Sequence, residues 1–374
     1  MATTLNNDFI LFSTGQTIGA SSSATMKNRI INGGMVIDQR NNGASVTLGA
    51  VNPQYSIDRW YFQTAQASKL SFQQNAGSVT PPVGFSNYLG ITSLSAYSSV
   101  STDYFTFAQR IEAFNTNDLA WGTSNAKTVT LSFWVYSSLT GTFSGALNNN
   151  QSTNGASYAF TYSIPTANTW TYITITVQGS TIGTWSNGYS ICVVYNLGCG
   201  STYLTSTPNS WQANGQYFGV TGTTSVVGTS GATFYLTGVQ LEVGTVASSF
   251  DYRVYSHELA MCQRYLPAYY GYGQVPGCGN FYNTSQAYLS INFPVETRVP
   301  PTGIYTPNAS VFSVGIPGLV SDTSLSSISF NQATTLGALY GVTASSATSA
   351  SAGSVATVRA NNSASLFYFT GCEL

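Results

Sequence analysis

The sequence predicts an all-β protein: a jelly-roll β-sandwich, then one short helix, then a smaller C-terminal β domain. Three observations carry this expectation. The apolar fraction, 43% of 374 residues, is dominated by 25 Tyr, 20 Phe and 6 Trp with many Val and Ile, residues that favour pleated strands. Charged helix formers are scarce: 11 Lys/Arg and 12 Asp/Glu make only 6% of the chain. Apolar and polar residues alternate over short runs that Gly, Asn and Ser clusters separate, the pattern of strands joined by turns.

Taken in order, residues 1–27 are polar apart from Phe9, Ile10, Leu11 and Phe12, and read as an arm or attachment segment. That patch either adds a strand to a partner or tucks against its own chain. Strand signals begin with the apolar run Arg29–Met35, which the turn at Gly33-Gly34 closes, and continue at Tyr55–Phe62 and Lys69–Gln74. Val129–Val135 alternates strictly, with Val129, Leu131, Phe133 and Val135 on one face. Thr169–Val177, Tyr189–Tyr195 and Phe234–Gly244 follow, giving eight or more strands in the region 28–253, as a two-sheet jelly roll requires. The period then changes. Tyr255–Leu266 places Leu259, Cys262 and Leu266 on one helical face, with Ser256 as a candidate cap and Pro267 as a stop, so 254–267 is expected to be a connecting helix. Residues 268–374 return to β signals. There Pro300-Pro301 confines its neighbourhood to a sheet edge, and Leu366–Phe369 supplies a late strand.

The charge deficit excludes some functions. A net charge of −1 gives no field for phosphate backbones, so no nucleic-acid partner is expected. No run approaches the roughly 18 apolar residues of a spanning helix, so no membrane insertion is expected either. The start, Met1 to Leu5, lacks the basic and apolar regions of a secretory signal. Five cysteines, an odd number without a CxxC pair, point to free thiols. A polar yet uncharged surface suits either permanent burial in an assembly or neutral hydrogen bonding to sugars.

Catalytic material is thin. His257 is the only histidine, no GxSxG elbow occurs, and no spacing rule pairs Asp58, Glu112 or Asp118 as glycosidase carboxylates. Asp38 with Arg40 and Asp58 with Arg59 read as local ion partners. No enzyme activity, cofactor or metal is expected. Candidate carbohydrate-binding residues are Trp121 and Trp211, in polar turns, and the cluster Tyr269, Tyr270 and Tyr272. The indoles either stack on a sugar or pack over the sandwich end. The tyrosines serve recognition, a buried strand face or a subunit interface.

Several segments together resemble phage tail-fibre and virion structural proteins that carry a carbohydrate-binding-module-like jelly roll. They are Asn28–Arg40, Ser56–Trp60 with its Asp-Arg-Trp, Leu131–Val135, Gly238–Gly244, Phe250–Arg253 and Glu258–Tyr265, in this order over about residues 28–266. Related sugar-binding jelly rolls have Asp after Asn-Gly; here Gly34 stands there, and Glu242 alone cannot hold calcium. The resemblance implies a virion location and a tail fibre or receptor-binding protein that attaches to host surface polysaccharide. It further implies a homotrimer whose N-terminal arm binds other virion proteins. A capsid decoration protein or head fibre is the alternative within virions, and a polysaccharide depolymerase the alternative from another class.

Overall fold

The computed structural model describes residues 26–149, 151, 154–185, 188–271, 273, 275–318, 322–363 and 365–374, with the backbone of three short strands nearer the N-terminus. Those three, Thr4–Asn6, Phe9–Leu11 and Thr17–Gly19, form an antiparallel sheet with Phe9–Leu11 in the middle; Phe12 lies outside the described residues.

Two antiparallel sheets make the sandwich. One has six strands in the order Thr171–Val177, Val129–Ser137, Thr233–Val243, Leu89–Ser93, Leu70–Gln74 and Val46–Thr47. The other has seven: Trp211–Ala213, Ala156–Ile164, Gly141–Asn148, Tyr189–Asn196, Phe105–Glu112, Tyr61–Thr64 and Gln54–Tyr55. The period-2 run at Val129–Val135 does what alternation requires: its four apolar residues are fully buried between the sheets. Phe133 meets Tyr195 of the facing sheet edge-on at 5.1 Å. Trp60 lies flat on Phe107 at 4.8 Å. The strand Tyr189–Asn196 is apolar on both faces for a different reason on each. One face is core, while the other is roofed by the segment from Cys199 to Val220, whose Tyr203, Phe218 and Val220 pack on Cys192, Val194, Ala146 and Ala159.

The one α-helix among the described residues, Tyr255–Gln263, buries Cys262 against Ile31 and Ile37. Its N-cap is Val254, without a side-chain cap; Ser256 is already inside the helix. No helix among the described residues is long and apolar enough to cross a membrane. Beyond it lies a closed six-stranded barrel: Cys278–Phe281, Gln286–Asn292, Gly337–Ala344, Thr323–Ala333, Phe312–Gly315 and Val355–Ala360. A three-stranded sheet, Ala268–Tyr270, Leu366–Thr370 and Gly303–Tyr305, covers the barrel and sends Phe367 and Phe369 into its core. Gly303–Tyr305 is an edge strand, directly after Pro300-Pro301. All five cysteines are free thiols.

Two local expectations are corrected. Arg29–Met35 is not a strand. It is an irregular strap, turning at 32–35, held to the strand Thr233–Val243, with Arg29 N donating to Leu241 O at 2.9 Å and Val239 N to Gly33 O at 3.0 Å. The two local ion pairs do not form either. Asp38 accepts from the turn amides of Asn41 and Gly43, Asp58 accepts from Gln39 N and Nε2 at 2.7 and 2.5 Å, and Arg40 reaches Glu373 instead. Arg59 lays its guanidinium 3.6 Å above the Tyr265 ring. Sequence proximity loses here because the backbone turns each side chain toward a more distant partner.

Four of the segments that carried the resemblance, Asn28–Arg40, Ser56–Trp60, Phe250–Arg253 and Glu258–Tyr265, meet in one knot. Asn32 Nδ2 donates to Ile37 O and Asp58 O, its Oδ1 accepts from Ile37 N, and its carbonyl accepts from Trp60 Nε1 at 3.1 Å. Glu258, on the helix, accepts from Asn32 N and pairs with Arg253, which donates to the carbonyls of Asn28 and Ile30. These residues build the fold; they fix the strap, the helix and, through them, the approach of the barrel to the sandwich.

Candidate functional site

The sandwich and the barrel meet at a groove of about 690 Å³, floored by Arg40 and Arg110 and walled by Tyr55, Tyr305 and Tyr368. An adjoining hollow of about 380 Å³ shares Arg40 and is lined by Tyr270, Asn42 and Leu366. Strand geometry supplies the walls. Tyr368 sits on the covering strand Leu366–Thr370, between Phe367 and Phe369, so alternation sends it outward as its neighbours go in. Tyr305, opposite it across the strand pair, is 49% exposed and lies 5.1 Å from its ring.

Arg40 organises the floor. Its guanidinium lies 5.2 Å from the Tyr55 ring centroid and 5.1 Å from that of Tyr368, and Nη2 donates to Glu373 Oε2 at 2.5 Å. Both charged side chains are only 9% exposed. Arg298 holds this last segment in place, donating to Cys372 O and Glu373 O. Arg110 lies between the rings of Tyr61 and Tyr189 and donates to Leu374 O at 2.7 Å. Buried polar atoms without a protein partner gather here: Gln39 Oε1, Arg40 Nε, Arg59 Nε, Arg110 Nε and Glu373 Oε1.

Burial pushes the Glu373 carboxyl up to about 7 and that of Asp58 up to about 6, even though Arg40 opposes both shifts. The folded chain therefore holds protons that an unfolded chain releases from about pH 4 upward. Stability should fall as pH rises from 5 to 8. Glu112 works in the opposite sense, because Arg264 and Tyr265 outweigh its burial, but it acts at lower pH. Melting temperatures at pH 5 and 8 should show the loss, and Glu373→Gln should flatten the slope; an equal slope in the variant would refute this assignment.

The structure separates the candidates from the sequence. Trp121 and Trp185 are buried and meet edge-to-face at 4.8 Å, and Trp211, half-buried, contacts both at 5.3 and 5.4 Å. Each indole N–H donates to a backbone carbonyl, of Lys127, Ile182 and Gln178 respectively. The rings thus spend much of their area on one another. Tyr269 turns into the barrel, stacked on Phe367 at 5.3 Å. Tyr270, its neighbour, points the other way, is 45% exposed and lines the hollow beside Arg40. Tyr272 lies outside the described residues. Tyr55, Tyr305 and Tyr368 were not expected as site residues, and Arg40 was expected only as a partner of Asp38, since only the docking of barrel on sandwich assembles them.

No protein-family model matches the sequence, and no curated protein matches it. Among solved structures, the chain is similar to the enzymatically active domain of bacteriophage CBA120 tailspike protein 4, at 12% identity and TM-score 0.31, over 58% of this chain and 22% of that one. The match thus spans about a fifth of that solved chain's length. It is similar also to a family 11 carbohydrate-binding module from Clostridium thermocellum, at 11% identity and TM-score 0.27, over 55% of this chain and 98% of that one. A third structure, TmCBM61 in complex with β-1,4-galactotriose, matches at 9% identity and TM-score 0.29, over 58% of this chain and 99% of that one.

Proposed function

We propose that this chain is a non-enzymatic structural protein of a phage virion, a tail fibre or receptor-binding protein, that binds a host surface glycan in the groove between sandwich and barrel. The groove carries the reading. Tyr305 in the groove and Tyr270 in the adjoining hollow offer flat faces to the C–H side of a sugar, and Asn41, Gln54 and Thr370 along the groove offer neutral hydrogen-bonding groups to hydroxyls. Among the described residues the side-chain carboxylates here are Glu373, tied to Arg40, and Asp38 of the adjoining hollow, held by turn amides, which suits binding better than the paired acids of glycoside hydrolysis. The virion location, the trimer and the attachment role of the N-terminal arm rest on the sequence resemblance.

Tyr305→Ala and Tyr270→Ala should each weaken binding to host surface polysaccharide by about tenfold or more, roughly 1.4 kcal/mol. Stability should change by about 1 kcal/mol or less, since both side chains are about half exposed. Polysaccharide pull-down on the full chain, with chemical denaturation alongside, reads both. Unchanged binding in both variants would remove the groove as the site, and shortening of the polysaccharide would favour a depolymerase. Immunogold labelling of intact particles separates tail from capsid.

A further inference from the structure

A second built feature lies away from the groove, on the outer face of the six-stranded sheet. Gly33 and Gly34 cross the strand Thr233–Val243, and Phe85, Phe250 and Tyr252 fold over them. The Phe85–Phe250 centroids are 5.0 Å apart, Phe250–Tyr252 5.0 Å and Phe85–Tyr252 5.7 Å. They enclose a pocket of about 110 Å³. Its charged neighbours satisfy one another: Arg253 Nη1 lies 3.3 Å from Glu258 and its Nε 3.5 Å from Asp251. The pocket is thus aromatic-walled, and its two carboxylates are tied to the one guanidinium rather than free to face a ligand. It is open because position 34 has no side chain; a Cβ there would make only ordinary contacts, 3.8 Å from Phe250 and Val36.

The pocket ends an aromatic row. Phe85 and Trp134 flank Gly238, whose missing Cβ would lie 2.6 Å from one ring and 3.1 Å from the other. Trp134 faces Tyr172 across the strand pair at 5.1 Å. Tyr172 is 43% exposed, and Thr174 and Thr176 continue the same face of that edge strand, exposed and uncharged. Size sets what the pocket can take. A whole small ligand needs about 300–1,000 Å³, whereas a single water needs roughly 10–15 Å³. This pocket suits a substituent of a few heavy atoms.

We infer that this row is a second glycan-binding track, and that the pocket beside Phe85 and Tyr252 receives the acetyl group of an N-acetylated sugar. The methyl lies against the three rings, the sugar ring extends toward Trp134 and Tyr172, and Ser86 supplies a hydroxyl at the rim. The track uses no groove residue, so it stands or falls independently of the groove.

Calorimetric titration of the full chain with chitotetraose and with cellotetraose, which has the same β-1,4 linkage but no acetamide groups, tests it. Chitotetraose should bind at least about tenfold more tightly. Gly34→Val, which fills the pocket from a position where a Cβ makes only ordinary contacts, should abolish that preference, and Tyr252→Ala should do so by removing a wall. Tyr305→Ala should leave it intact. Equal affinity for the two sugars, no chitotetraose binding, or wild-type binding in both pocket variants would overturn the inference. Loss in Tyr305→Ala alone would assign the acetylated sugar to the groove instead.

Discussion

Arg40→Ala should destabilise the chain by about 3–5 kcal/mol, the usual consequence of leaving a buried partner charge unpaired. Glu373 and Arg40 are each only 9% exposed, and Arg40 is also wedged between Tyr55 and Tyr368, so the variant loses an ion pair and two ring contacts together. The loss should shrink at acid pH. Glu373 already titrates near 7 because of burial, and without the cation its carboxyl is pushed further up, so protonation relieves the unpaired charge. Denaturant unfolding at pH 5 and pH 8 measures this. The double variant Arg40→Ala with Glu373→Gln should recover part of the loss at pH 8. If the two single costs simply add, the residues are not coupled and the pair does not hold barrel to sandwich. Groove binding should vanish with Arg40, since both rings it supports line the site.

Trp60→Ala should cost about 3–5 kcal/mol as well, by a different route. The indole is fully buried, lies flat on Phe107 and contacts Tyr195, so truncation opens a cavity at the middle of the sandwich. It also strips Asn32 O of one of its two donors inside the knot, leaving only Met35 N. Trp60→Phe separates the two effects. It keeps an aromatic on Phe107 and removes only the second hydrogen bond to Asn32 O, which Met35 N still satisfies, for about 0.5–1.5 kcal/mol. Thermal or denaturant unfolding of the two variants distinguishes the contributions. Equal losses would mean that the Asn32 bond, not the packing, dominates.

These two positions mark how far the sequence could be read. Trp60 stands in the run Tyr55–Phe62, expected as one alternating strand; the structure instead puts it in the turn between Gln54–Tyr55 and Tyr61–Thr64, where 56–62 are all buried, so the apolar run predicted its burial but strand period did not. The runs Val129–Val135, Thr169–Val177 and Phe234–Gly244 became strands within two residues of their expected bounds, because alternation with β-branched and aromatic residues admits no helix. The helix followed from the one place where the period changed. Arg29–Met35 was misjudged because an apolar run signals burial without saying whether a ladder or a strap provides it.

Arg40 could not be read in the same way. Its partner is 333 residues away, and a nearer acid, Asp38, was available. Asp38 was taken by turn amides, a matter of φ and ψ that composition does not reveal. The tyrosines divide likewise. That Tyr269 and Tyr270 oppose each other is period 2 and local, but that Tyr270, Tyr305, Tyr368 and Tyr55 share one junction depends on how the barrel docks.

Composition and periodicity alone therefore determined the all-β class, the single helix and the scarcity of catalytic groups, since each is a property of short windows of chain. The groove, the acetyl-sized pocket over Gly34 and the ionisation of Asp58 and Glu373 were decided by tertiary contacts. Desolvation and ring proximity act through space, between segments that the sequence keeps hundreds of residues apart.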